Sequence, residues 1–355
     1  MHQHTSPARD RGAGVLCSLQ AGRAIAAFGV MMSHAALATE AFVAPLPDWL
    51  KTIVDRGMFG VDFFFVLSGF IILNAHFDDI AGLGALKSYV VKRLSRIYMP
   101  YLPICLLVIA GYLLLPGLSG SQREWGWLTS LLLVPTSLSP ALPVAWTLVY
   151  EMLFYSIFLV FFFDRRTFVA AVLIWAGAIV VQAIMGTTAG SPLIVTLLNP
   201  INLDFIFGLG AAFGYRLLQK RRGNMLIAAG LAIVLLFLCV LMDDGLMRLL
   251  FGAGASLIVM GGALEDTRLR RLIPPVLVKL GDASYAIYLT HNPLISLTSR
   301  LAGRVPLLQN WPAAFAFSLG CGLVVGSAYH YLFERPALAA VRRYGRLRLD
   351  TRPQR

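Results

Sequence analysis

The chain has 355 residues, of which 58% are hydrophobic and 14% charged, and its mean hydropathy is +0.73. A soluble domain carries about 25% charged residues, so a water-soluble fold is excluded and a polytopic membrane protein is expected. The net charge of +12 does not mark a nucleic-acid binder, because the basic residues occupy alternate loops between apolar segments.

Residues 1–18 read as a polar cytoplasmic tail that includes His2, His4, Arg9 and Arg11. The first apolar run could pass for a signal peptide, with Ala36-Leu37-Ala38 as its cleavage site. Arg23 and His34 interrupt it, however, and it is read as an uncleaved span. Apolar runs of about 20 residues predict about ten spans near 19–38, 58–77, 100–117, 144–163, 167–186, 200–218, 224–242, 246–264, 282–299 and 312–333. The segment Trp127–Val134 is too short to cross and is expected to be interfacial or re-entrant. The fold class is therefore all-α: a membrane domain over 19–336, followed by a basic cytoplasmic tail over 337–355 that faces lipid headgroups. With the N-terminus inside, 23 of the 30 basic residues fall on the cytoplasmic side. Only Lys51, Arg56, Arg123, Arg248, Arg300 and Arg304 fall outside. That bias predicts an even number of spans with both termini cytoplasmic. Cys17, Cys105, Cys239 and Cys321 are scattered, with no CxxC pair, so neither a disulfide framework nor a metal site is expected.

Chemistry is expected where titratable groups enter apolar segments, since these are costly in a bilayer. Arg23 and His34 are eleven residues apart in the first span. At about 100° per residue they share one face, separated by roughly 16 Å. Asp62 opens the second span and reads equally as a functional or an interfacial carboxylate. Ser68 and Gly69 follow three phenylalanines and read as packing residues. Arg93 and Arg96, in the second inner loop, face the same way if helical. Paired guanidiniums suit phosphates, although such a pair also serves as a topology determinant. In the fourth span Thr147, Glu151 and Tyr155 share a face, with Tyr150 beside them. A buried carboxylate needs a partner: His34 is one candidate, and a structural contact to Arg or Tyr is the alternative. Ser284, Tyr288 and His291 form one stripe in the ninth span, where His291 is either a helix-packing or a functional residue. Glu334-Arg335 closes the last span as a local ion pair, and Pro336 stops it.

Several of these stretches occur together in one family. Leu19-Gln20, Arg23-Ala24-Ile25-Ala26-Ala27 and His34; Gly60-Val61-Asp62-Phe63-Phe64-Phe65-Val66-Leu67-Ser68-Gly69-Phe70; Arg93-x-x-Arg96-Ile97-Tyr98; Trp146-Thr147-Leu148 with Glu151 and Phe154-Tyr155; and Gly281-Asp282-Ala283-Ser284-Tyr285 with Tyr288-Leu289 and His291 run in the order of the acyltransferase family 3 membrane proteins. The chain resembles these, most of all the exopolysaccharide-production subgroup similar to the succinoglycan acetyltransferase. One departure is Trp-Thr-Leu-Val-Tyr-Glu in place of the commoner Trp-Ser-Leu-x-x-Glu. The resemblance implies an O-acyltransferase of the bacterial inner membrane that takes an acyl group, usually acetyl, from cytoplasmic acyl-CoA. The implied acceptor is a hydroxyl of an extracytoplasmic or lipid-linked glycan, with polysaccharide-synthesis machinery as a further partner. It implies that Arg23 and His34 form the family's Arg-x10-His pair, with His34 as acyl carrier or general base. Arg93 and Arg96 then bind CoA phosphates, and Glu151 orients or neutralises His34. The competing expectation is an exporter of a glycan or anion that uses the buried Arg, His and Glu for proton coupling. No hydrolase-like domain follows the last span, so acceptor selection is expected from outer loops 39–57 and 118–143 or from a partner.

Overall fold

The computed structural model describes residues 16–80, 82–115, 124–186, 190–219, 221–239 and 244–350. The expectations for His2, His4, Arg9, Arg11, Arg123, Lys220, Arg352 and Arg355 lie outside these residues. The described chain is a bundle of helices. Helix α1, Cys17–Phe42, stops ahead of the Ala44-Pro45-Leu46-Pro47 run, where proline removes backbone donors and holds its neighbour extended. The short amphipathic α2, Asp48–Asp55, leads through one tight turn into α3, Gly60–His76. Helix α4, Leu83–Leu114, carries Pro100 and Pro103 inside it. It begins well before the apolar run at 100–117, so Lys87, Lys92, Arg93 and Arg96 lie on its first turns rather than in an inner loop. Helix α5, Trp127–Leu132, is only six residues, in keeping with a segment too short to cross.

Helix α6, Trp146–Phe158, is followed by α7, Arg165–Met185. Asp164 caps α7 by accepting from the Thr167 hydroxyl and backbone N–H, each at 2.7 Å. These bonds hold its carboxyl below the usual carboxylate range, the hydroxyl contributing most. Next come α8, Pro192–Leu197, α9, Asn202–Leu217, α10, Asn224–Cys239, and α11, Asp244–Leu264. The short α12, Asp266–Leu269, and α13, Pro275–Asp282, precede α14, Ser284–Ala302. Helices α15, Trp311–Tyr329, and α16, Arg335–Asp350, close the chain.

Between α15 and α16, residues His330–Glu334 form a π-helical turn. Pro336 has no N–H to give the carbonyl one α-turn back, and the wider turn accommodates that loss. The turn buries a His330 Nδ1–Glu334 Oε2 pair at 2.8 Å. The local pair expected for Glu334 is thus with His330 rather than Arg335.

The described residues of each of the ten expected spans fall mainly in a helix. Seven of the described helical segments are long and apolar enough to cross a membrane. Helices α9 and α10 have sixteen residues each. Helix α14 is long enough but turns Ser284, Thr290, His291, Thr298 and Ser299 into the bundle, which lowers its hydropathy. Leu106, Leu107, Leu173, Ile174, Ile184 and Leu235 are exposed on α4, α7 and α10. A belt of such side chains suits lipid and not water. The protein is a multi-pass membrane protein.

Helix α1 sits centrally, against α3, α11, α13, α14 and α15. Helices α3 and α9 cross with their backbones almost touching. A Cβ at Gly69 would meet the Phe205 carbonyl oxygen at 2.2 Å, and one at Gly208 would meet the Val66 oxygen at 2.0 Å. Phe205 then stacks between Phe65 of α3 and Phe154 of α6, with centroids 4.4 and 4.3 Å away. This aromatic sandwich fixes α6 against the α3–α9 pair.

Candidate active site

Helices α1, α3, α4, α6 and α14 enclose a cavity of about 320 Å³. Its polar lining comes from Arg23 and Gln20 of α1, Ser68 of α3, and Arg93 and Arg96 of α4. Helix α6 adds Thr147, Glu151 and Tyr155, and α14 adds Ser284, Tyr285 and Tyr288. Three guanidiniums and one carboxylate share the space, so its field is net positive and favours an anionic ligand.

Arg23 Nε donates to Ser284 Oγ at 3.0 Å, which ties α1 to α14 at the cavity. The Arg93 guanidinium lies over the rings of Tyr89 and Tyr155, at 5.9 and 5.6 Å. These are cation–π contacts that hold a charge without satisfying its N–H groups. Arg93 Nε is buried with no hydrogen-bond partner, as is Gln20 Oε1. Buried polar atoms are nearly always paired in a folded protein, and these two unpaired atoms belong to residues that line the cavity.

Glu151 accepts from Ser68 Oγ at 3.1 Å and from the Tyr155 hydroxyl. It does not reach His34. The expected Glu151–His34 pair gives way to the alternative Glu–Tyr contact, because Glu151 faces α3 and the cavity. His34 stands eleven residues further along α1, and its ring meets α14 instead. There its Nδ1 lies 3.1 Å from His291 Nε2, with ring centroids 5.0 Å apart. The histidine pair is next to the cavity rather than in its wall. Tyr288, which lines the cavity, has its ring 5.5 Å from that of His291. Its hydroxyl is 3.1 Å from Thr147 Oγ1 and donates to the Val144 carbonyl at 3.3 Å. Phe64 packs on the same tyrosine at 6.1 Å.

The structure therefore brings Arg23, Arg93, Arg96, Glu151, Tyr155, Ser284 and Tyr288 around one space, with His34 and His291 adjacent. It does not bring in Asp62 or Tyr150. Asp62 is 1% exposed and accepts from Arg248 Nη1 at 2.7 Å, with Asp204 of α9 against it. Tyr150 packs edge-on against Trp146 at 5.7 Å. Ser68, read as a packing residue, instead bonds Glu151. Sequence reasoning did not anticipate Gln20, Tyr285, Asp204 or the partner role of Arg248. Gln20 carried a signal: three residues before Arg23, it shares that residue's helical face. Among the described residues, no group of three or more His, Cys, Asp or Glu is placed to hold a metal ion.

The acyltransferase domain family (Acyl_transf_3) matches residues 18–331. The chain is 30% identical over 315 residues to the exopolysaccharide production protein ExoZ of Rhizobium meliloti (strain 1021), covering 83% of this chain and 92% of that one. It is 26% identical over 361 residues to the acyltransferase MdmB of Streptomyces mycarofaciens, covering 91% and 92%. No solved structure matches it. The match includes all five helices that enclose the cavity, and the chain belongs to acyltransferase family 3 as a membrane O-acyltransferase.

Proposed function

We propose that this enzyme takes an acetyl group from acetyl-CoA at the cytoplasmic face and delivers it to a hydroxyl of an extracytoplasmic or lipid-linked glycan such as an exopolysaccharide. The single observation that carries this reading is the continuity of one cavity. It runs from the three guanidiniums of Arg23, Arg93 and Arg96 to Tyr288, against which the His291–His34 pair lies. The name of the Rhizobium relative, a protein of exopolysaccharide production, supports the acceptor class.

In this reading Arg93 and Arg96 bind the phosphates of CoA, the partnerless Arg93 Nε among the donors. Arg23, fixed by Ser284, guides the extended pantetheine arm. Gln20 Oε1 is available to a pantetheine amide N–H. The thioester then reaches the region of Tyr288 and His34. His34 acts either as nucleophile toward the thioester or as general base for the glycan hydroxyl, and either role needs one neutral ring nitrogen. Taken as general base, His34 accepts the hydroxyl proton as the oxygen bonds to the acyl carbon. The C–S bond then breaks, and the same proton passes to the departing thiolate. Glu151 holds Tyr155 and Ser68 in place and offsets the cavity's positive charge. In this reading the ten spans counted from the apolar runs, with the even number and cytoplasmic termini that the charge bias predicts, turn the arginine end of the cavity toward the donor pool.

The test is the ester-linked acetyl content of the host's surface polysaccharide, read by proton NMR. A deletion strain carries either the wild-type gene or His34→Ala at matched abundance. Acetyl signal restored only by wild type is expected. Equal signal from both variants removes His34 from the mechanism. Absent signal with polysaccharide retained inside the cell points to export.

A further inference from the structure

The two histidines constrain each other's protons. His291 is 1% exposed, and its Nδ1 lies 2.7 Å from the Tyr288 carbonyl oxygen and 3.2 Å from that of Ile287. A nitrogen facing two carbonyl oxygens must carry its hydrogen. An imidazole whose hydrogen sits on Nδ1 presents a lone pair at Nε2. His34 Nδ1 faces that lone pair at 3.1 Å and the Val30 carbonyl oxygen, also at 3.1 Å. Both neighbours are acceptors, so His34 Nδ1 is also an N–H. The lone pair of His34 is left on Nε2, the ring atom turned away from both partners.

We infer that His291 is a positioning residue for the transfer reaction: its Nε2 accepts the Nδ1–H of His34, fixing the tautomer that leaves His34 Nε2 free to take the proton. The inference rests on the acyltransferase reading of His34 given above. When the glycan hydroxyl gives its proton to His34 Nε2, the ring becomes cationic and its Nδ1–H becomes a stronger donor. The bond to His291 strengthens at that moment, so it stabilises the transition state more than the ground state. The arrangement parallels a base oriented by a third group, with a neutral imidazole in the place where a carboxylate often stands. No carboxylate approaches His34 among the described residues, since Glu151 is held by Ser68 and Tyr155.

The experiment uses the full-length enzyme with ¹⁵N-labelled histidine in lipid nanodiscs, and host membrane vesicles supplied with acetyl-CoA. The His34 ring signals are identified by their loss in His34→Ala. Wild type should show His34 protonated at Nδ1 and bare at Nε2; the opposite tautomer overturns the inference without any variant. CoA release from vesicles is then measured for His291→Phe and His291→Gln. The phenylalanine variant should lose about tenfold or more in kcat with KM for acetyl-CoA unchanged, the signature of an interaction made in the transition state. Glutamine keeps an acceptor oxygen and should recover most of that loss. Glutamine no better than phenylalanine, or KM rising in step with the fall in kcat, overturns the positioning role. Full activity of both His291 variants alongside an inactive His34→Ala sinks the pairing alone. An active His34→Ala sinks the reading on which it rests.

Discussion

Arg93 and Tyr155 meet across the cavity, the guanidinium carbon 5.6 Å from the centre of the ring whose hydroxyl bonds Glu151. The arginine is thus held by a π-face while its Nε stays without a hydrogen bond. A side chain fixed in position and short of partners is suited to receive a phosphate at little entropic cost. Each charge-assisted hydrogen bond is worth about 1.5–3 kcal/mol. Arg93→Ala with Arg96→Ala should therefore raise KM for acyl-CoA by about tenfold or more in membrane-vesicle kinetics, with kcat less affected. Arg93→Lys should not restore it, because an ammonium neither stacks on Tyr155 nor offers a planar fork. Unchanged KM in the double variant removes the phosphate role.

Glu151 is the one carboxylate in the cavity lining, and its two partners are neutral hydroxyls. Glu151→Gln keeps the shape but removes the charge that offsets three guanidiniums. Acyl transfer should fall by about ten- to a hundredfold with membrane abundance unchanged. Tyr155→Phe should show a smaller loss, since Ser68 still bonds the carboxylate. Wild-type rates in Glu151→Gln would make the residue structural.

The Asp62–Arg248 pair predicts a stability effect distinct from catalysis. Asp62 is 1% exposed with Asp204 against it, so Arg248 is the cation that two buried carboxylates face. Removing one partner of a buried pair costs about 3–5 kcal/mol. Arg248→Met should lower the thermal midpoint of the detergent-solubilised enzyme clearly. The double variant Asp62→Asn, Arg248→Met should regain part of it, because Asp204 then faces a neutral amide instead of a second carboxylate. Equal midpoints for single and double variants would show that the pair carries no such penalty.

Gly208→Ala should act through the backbone alone. The added methyl would stand 2.0 Å from the Val66 oxygen, so α3 and α9 must separate. Overpacking of this kind costs about 1–3 kcal/mol. The stacked Phe65–Phe205–Phe154 rings would loosen with it, and near-ultraviolet circular dichroism should weaken. An unaltered spectrum and midpoint would show that the crossing tolerates the methyl.

The charge bias predicts the topology directly. A reporter fused after Arg355 should read cytoplasmic, and one inserted near Lys51 should read extracytoplasmic. A periplasmic signal at the C-terminus would overturn the even count of spans.

The apolar runs were readable as helices because twenty lipid-facing residues leave a strong compositional trace, as in α7. Helix α4 was misread at its start, because Lys87, Lys92, Arg93 and Arg96 look like loop residues to a hydropathy window. They are helical, and Arg93 and Arg96 among them line the cavity. The Arg23–Ser284 tie was only half visible: periodicity placed both groups on inward faces but could not say which faces meet. The same limit left the partner of Glu151 open between His34 and an Arg or Tyr, because position along a helix is blind to rotation about its axis. Only packing decides that Glu151 turns toward Ser68 while His34 turns toward His291. Asp204 and Arg248 left no motif at all, since their pairing with Asp62 joins three helices remote in sequence.

The π-turn at His330–Glu334 sets the bearing of the C-terminal helix. Each residue advances a helix by about 100°, and a π-turn inserts one extra residue into the count. The C-terminal helix is therefore out of phase with the last span by roughly a quarter turn. Shortening the turn by one residue would swing Arg342 and Arg343 around to another side relative to Trp311–Tyr329. The turn works as a phase setter, and the direction in which the basic helix presents its charge is decided before that helix begins its polar stretch.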